Sequence, residues 1–262
     1  MNKREGENMK NKGQSICITS AKGGVGKTVT TLNLAGIIDT LNKKVLIIDF
    51  DLTNGGVTAA LNLRAQKSIY NLVDDYNNNR YKDFKDYVAT YDANIDVLAS
   101  PKDPRQAGKI DPKYVEIIMD KAVFQYDFVL IDTNHTLNDF NIFTLDLVDE
   151  ILFIMTNDPL DLKNMRSYMT VFKDVNYTNY KIILNESISP FRKYFGLYDI
   201  KNIINANIDY VITKDFYLKN IDTFIMNGKI ITLDSKAPLV FNKDYTTLMQ
   251  IITDIYRKDI QG

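Results

Sequence analysis

The sequence has a single cysteine, Cys17, so no internal disulfide is available to it. It has one histidine and no Cys/His cluster, which argues against a zinc centre. The longest apolar runs, such as "EILFIMT", suit a buried strand and fall well short of a bilayer-spanning helix. No signal peptide is recognisable, and with the lone cysteine this points to the cytoplasm. Charge of one sign is missing as well: 32 Lys and Arg stand against 33 Asp and Glu, a net charge of −1. Overall charge therefore draws the chain neither to DNA nor to acidic lipid, although a local patch stays open. No internal repeat and no Pro/Gly/Ser linker divides the 262 residues.

What is present is a sustained alternation of two patterns. The runs "SICITS", "KVLIIDF", "IDVLAS", "DFVLIDT", "EILFIMT", "KIILNES" and "IDYVIT" are continuously apolar, as strands buried on both faces of a parallel sheet are. Between them lie helical spacings over 28–41, 112–124, 138–147, 160–173 and 245–257. The first places Leu32, Ala35, Ile38 and Leu41 along one stripe. Asp111 and Pro112 read as N-cap and first helical residue of the second. The expectation is a single three-layer α/β domain, a mostly parallel twisted sheet with helices on both faces, over 15–262. Residues 1–14 read as a flexible leader. The stretch "DDYNNNRYKDFKDY" reads as a surface excursion whose tyrosines pack on helices.

The first strand runs directly into "SAKGGVGKTVT", 20–30, and then into a helix. Strand, glycine loop and helix in that order make a phosphate cradle: backbone N–H groups turn inward and the helix N-terminus adds partial positive charge. Gly23, Gly24, Val25, Gly26, Lys27, Thr28 and Val29 are the candidate binding residues. Lys27 would reach the β and γ phosphates, and the Thr28 hydroxyl would join a Mg²⁺ shell. The strict pattern G-x-x-x-x-G-K-[ST] opens on glycine, whereas this chain has Ala21 there and a second lysine, Lys22. "KGGVGKT" is a deviant Walker A motif, and with it the sequence resembles the ParA/MinD family of P-loop ATPases.

That resemblance implies ATP and Mg²⁺ as cofactors, and a homodimer sandwiching two ATP molecules. In such a dimer Lys22 crosses to the partner's phosphates. It further implies roles for the strand-end carboxylates. In "IIDFDLTNGG", Asp51 would position the attacking water, while Asp49 would support the loop and, through water, the Mg²⁺ shell. "TNGG" would be a switch loop. "FVLIDT" ends in Asp132, the Walker B position facing Mg²⁺-bound water. The following "DTNHTLND" departs from the family's short Pro/Gly loop and leaves the second switch open; His135 reads there as a polar loop residue. Asn185, ending "KIILN", would read the adenine edge, with Pro238 in "SKAPLVFNKD" as a second base contact. The catalytic set is thus Lys22, Lys27 and Asp51, and the metal set Thr28, Asp49 and Asp132.

Three cargo classes share this engine. The C-terminal stretch, with Leu248, Ile251, Ile252 and Ile255 on one stripe and few cations, reads as a helix packed on the sheet. It does not read as a MinD-type membrane anchor. Lys163, Arg166, Arg192, Lys193, Lys214 and Lys219 are scattered among acidic residues, so the ParA-type DNA surface has weak support. The block from "VLASPKDPRQAGK" to "FVLIDT" resembles TadZ/CpaE localisation ATPases of pilus assembly, with no room before Ser15 for the receiver-like domain many of those carry. The expected role is a dimerising, slowly hydrolysing switch that positions a protein cargo, with ParA-type partition on nonspecific DNA as the alternative. Recruitment to membrane or nucleoid, and a scaffold that does not hydrolyse, stay open.

Overall fold

The computed structural model describes residues 12–188, 194–216 and 226–261. Arg192, Lys193, Lys219 and most of the expected leader lie outside them. Eight strands form one sheet in the order β3-β4-β2-β5-β1-β6-β7-β8. They are β1 (Gln14–Thr19), β2 (Val45–Asp49), β3 (Val88–Asp92), β4 (Ile95–Leu98), β5 (Phe128–Asp132), β6 (Glu150–Met155), β7 (Tyr180–Asn185) and β8 (Tyr210–Ile212). Every pairing is parallel except β3 on β4, an edge hairpin. The three-layer α/β expectation holds. The seven continuous apolar runs all become strands, because a residue buried from either face has no solvent side on which to alternate.

Alternate strand residues feed two cores. β1 sends Ile16 and Ile18 to one layer and Cys17 to the other. One layer holds helices α3 (Ile69–Asn77), α4 (Lys113–Val123), α5 (Asp139–Leu147), α6 (Pro159–Asp174) and α7 (Leu197–Ile204). The other holds α1 (Lys27–Thr40), α2 (Val57–Ala60) and the C-terminal helix Asn242–Gln261. In that last helix Leu248, Ile251, Ile252 and Ile255 are buried, as expected. Each contributes about 1.5–3 kcal/mol relative to an exposed side chain.

Several local details differ from the sequence reading. α1 is not amphipathic: every residue from Thr30 to Ile38 is buried. The reason is that the C-terminal helix and the segment Ile231–Leu233 close over the side that faces away from the sheet, so closely that a Cβ on Gly36 would lie 2.2 Å from Thr232 Oγ1. Gln14 already pairs in β1, and Gly13 donates its N–H to the Val123 carbonyl, so ordered structure starts before Ser15. Pro112 sits at the N-cap of α4, with the Asp111 carboxylate accepting from Lys113 N. The tyrosine-rich stretch is partly core: Tyr87 is buried, stacks on Tyr81 and donates to Asp75.

Glycine being scarce, at 12 residues, helix exits use asparagine instead. Asn42, Asn62, Asn79, Asn176 and Asn205 all have φ between 48° and 58° and follow α1, α2, α3, α6 and α7. Asparagine tolerates the left-handed region better than other side-chain-bearing residues. The helices therefore stop where the next strand must begin, and seven parallel strands deliver their carboxyl ends to one rim. In such sheets that rim is where ligands bind.

Candidate functional site

At the end of β1 the chain turns through Gly24 (φ 75°) and Gly26 (φ 96°) before entering α1. The second turn cannot take a side chain, since a Cβ on Gly26 would meet Asn185 Nδ2 at 2.6 Å. The resulting loop walls a cleft of about 510 Å³. Gly23, Gly24, Gly26, Lys27, Thr28 and Val29 line it, together with Asp51, Asp132 and His135. Val25 does not line it; its side chain is in the core and anchors the loop from below.

Lys27 donates to Ser20 Oγ at 3.0 Å, and Ser20 Oγ donates to the Lys22 carbonyl. Burial lowers the Lys27 pKa, while Asp132, Asp51 and Asp161 oppose that change. A half-buried ammonium at the wall of the cleft is placed to meet an anion there. Thr28 Oγ1 donates to Asp132 Oδ2 at 2.6 Å. Among the described residues Asp132 Oδ1 is buried with no hydrogen-bond partner, and burial pushes this carboxyl up to about 6. A carboxylate oxygen left open beside a threonine hydroxyl suits a hydrated hard cation, which takes oxygen ligands and keeps several waters.

Asp49 and Asp51 separate in the structure. Asp49 is fully buried and does not line the cleft; its Oδ1 accepts from Asp51 N, and its Oδ2 from Val57 N and Ser100 Oγ. It braces the loop 51–57, as the loop-supporting half of the expectation has it. With both oxygens so engaged, its metal role has no direct geometric support. Asp51 faces the cleft and accepts from Thr53 Oγ1 and Asn54 N, a turn that orders the switch segment.

Asn185, expected at the adenine edge, lies behind the phosphate loop. Its Nδ2 donates to the Val25 carbonyl at 2.9 Å and its Oδ1 accepts from Ser187 N and Oγ, so the amide clamps the phosphate loop. Both ends of the side chain are in use and none of it lines the cleft. Pro238, in the short helix Ala237–Val240, does not line it either. His135 flanks Gly23, and its carbonyl accepts from Tyr168.

Lys22 points out of the cleft and pairs with Asp158 Oδ1 at 3.0 Å. Asp158 caps α6 by accepting from Leu160 N and Asp161 N, and the Lys22 bond lowers its pKa. Asn164, one turn further on, donates to the Ala21 carbonyl. Sequence reasoning missed Ser20, Ser100 and Asp158 as site residues. Only Asp158 carried a signal, the Asp-Pro pair that opens a helix.

Comparison with known proteins agrees with this geometry. A family model, AAA_31, described as an AAA domain, matches residues 13–189. The chain belongs to this family. Within it the relatives are ParA/Soj and MinD proteins. The chromosome-partitioning ATPase Soj of Treponema pallidum is 24% identical over 221 residues, covering 81% of this chain and 83% of that protein. A ParA family ATPase from Chlorobium tepidum superposes with a TM-score of 0.78 at 18% identity, over 92% of this chain and 97% of that one. The septum site-determining protein MinD of Pyrococcus horikoshii, solved with Mg-ADP, gives 0.74 at 20%, over 92% and 95%. These two structures share the fold. The chain spans only part of two further curated relatives, matching 52% of the length of one and 23% of the other.

Proposed function

We propose that the chain is a magnesium-dependent ATPase of the deviant Walker A type, a homodimerising switch that hydrolyses slowly and positions a cellular cargo. The observation that carries this reading is one cleft joining a half-buried lysine, a threonine hydroxyl and an aspartate with one buried oxygen that has no partner among the described residues. Lys27 and the glycine-loop N–H groups would hold the triphosphate. Thr28 Oγ1, while donating to Asp132, keeps a lone pair for Mg²⁺, and Asp132 would orient the ion's waters. When bound, the ion would supply charge neutralisation on the triphosphate. Asp51, ordered by Thr53 and Asn54, would hold the attacking water. Phosphoryl transfer asks for little more than positioning and charge compensation.

Lys22 would serve the dimer. In this single chain its ammonium is balanced by Asp158, and half-exposed ion pairs of this kind contribute only about 0–1 kcal/mol. Exchange of Asp158 for a partner's triphosphate is therefore energetically open. For the cargo, the order β4, charged Pro-containing segment, α4 and β5 supports a TadZ/CpaE-like localisation role. The length of the match to Soj supports a second reading, ParA-type partition on DNA.

Size-exclusion chromatography with light scattering, with Mg-ATP and with Mg-ADP, tests the switch: a dimer with ATP and a monomer with ADP is expected, and the same state with both would remove it. DNA retardation at two salt concentrations separates the cargo readings. A shift with ATP that fades as salt rises supports partition, and no shift supports a protein cargo.

A further inference from the structure

Behind the switch loop lies a second cavity of about 540 Å³, lined among others by Gly55, Thr58, Arg64, Gln66, Ser100 and Lys102. That volume falls within the ordinary range for small-molecule sites, roughly 300–1,000 Å³. Among the described residues no carboxylate lines it. Arg64 and Lys102 are the two cations of its lining; both are exposed. The guanidinium offers a planar fork that matches phosphate, and Thr58 and Gln66 add neutral donors. Ser100 closes the floor, its hydroxyl already given to Asp49.

The wall shared with the nucleotide cleft is a single strip of chain. Asp51, Thr53, Asn54 and Gly56 line the cleft, while Gly55 and Thr58 line the second cavity. Gly55 is pressed so closely on the floor that a Cβ there would fall 1.7 Å from Ser100 Oγ and 2.7 Å from Asp49 Oδ2. A ligand seated against Gly55 cannot be indifferent to where Asp51 stands four residues earlier in the same brace.

We propose that this cavity binds a phosphorylated anion through Arg64 and Lys102, and that the switch loop couples its occupancy to the nucleotide cleft. The coupling rests on the ATPase reading given above; the binding site does not. The test is pyrophosphate titrated into the full chain saturated with Mg-ADP, followed by backbone amide NMR. Saturable shifts at Gly55, Thr58 and Ser100 are expected. Arg64→Ala/Lys102→Ala should weaken them at least about tenfold, the loss of a charge-assisted contact, with Mg-ADP affinity and melting temperature unchanged. A parallel titration with a short DNA duplex distinguishes a free phosphate compound from a polymer backbone. Saturation by either, lost in the double variant, supports the site and names its source. Shifts confined to Gly23–Val29, an undiminished response in the double variant, or no response to either probe would overturn it. Failure to bind Mg-ADP at all would instead strike the ATPase reading.

Discussion

The two carboxylates at the ends of β2 and β5 should leave a pH signature on the stability of the nucleotide-free protein. Asp49 and Asp132 are register partners on adjacent parallel strands, and both are buried. Burial, and after it the charge of Asp132, pushes the Asp49 carboxyl up to about 8. An acid whose folded pKa lies above its unfolded value keeps a proton in the native state that the unfolded chain has released. Its stabilising contribution is complete below the unfolded value and is lost as pH rises through the folded one. For Asp49 the window runs from an unfolded value near 3.8 to about 8. Inside it each pH unit removes up to about 1.4 kcal/mol. From pH 5 to 7 that is about 2.7 kcal/mol at most, and about 1.4 kcal/mol where local relaxation halves the displacement. Urea unfolding of wild type and Asp49→Asn, without nucleotide, at pH 5, 6, 7 and 8 is the assay. Wild type should lose stability relative to the variant across the series. Parallel curves would refute the reasoning, because the variant lacks the titrating group.

Two further outcomes follow from the cleft. Gly26→Ala forces a side chain onto a φ of 96° and against Asn185 Nδ2; a loss of about 1–3 kcal/mol in unfolding free energy is expected, and equal midpoints would contradict the tight packing described. Asp51→Ala should slow ATP hydrolysis at least about tenfold with nucleotide affinity nearly unchanged; equal phosphate-release rates would dispose of Asp51 as the water-positioning group.

The fold was legible because both of its signals are local. A parallel strand buried on two faces reads as a short apolar run, and the phosphate loop is one contiguous motif between such a run and a helix. The edge strand β3 was not legible: "VATYD" is only half-buried, so it carries neither a continuous apolar run nor a clean alternation. α3 and α7 were missed although each opens on a local turn, at Ser68 and Gly196. Within the site, the lysine, threonine and aspartates that line the cleft were readable from the sequence, whereas Ser20, Ser100 and Asp158, which support them, were not. Ser100 reaches Asp49 across 51 positions and Asn185 reaches Val25 across 160. Such pairings are set by which strands become neighbours, and no short window contains both partners. The same cause explains Asn185 itself. Its place at a strand end was readable, but the direction of its amide depends on a backbone carbonyl exposed by the turn at Gly26.

The central claim is that Lys22 acts on the triphosphate bound by a second copy of the chain. A crystal structure with Mg²⁺ and a nonhydrolysable ATP analogue measures this directly. The expected result is a two-fold dimer in which Lys22 Nζ has left Asp158 and lies within hydrogen-bonding distance of the other subunit's phosphates. The contrary result is an analogue-bound chain in which Lys22 still rests on Asp158 and no second nucleotide is within its reach.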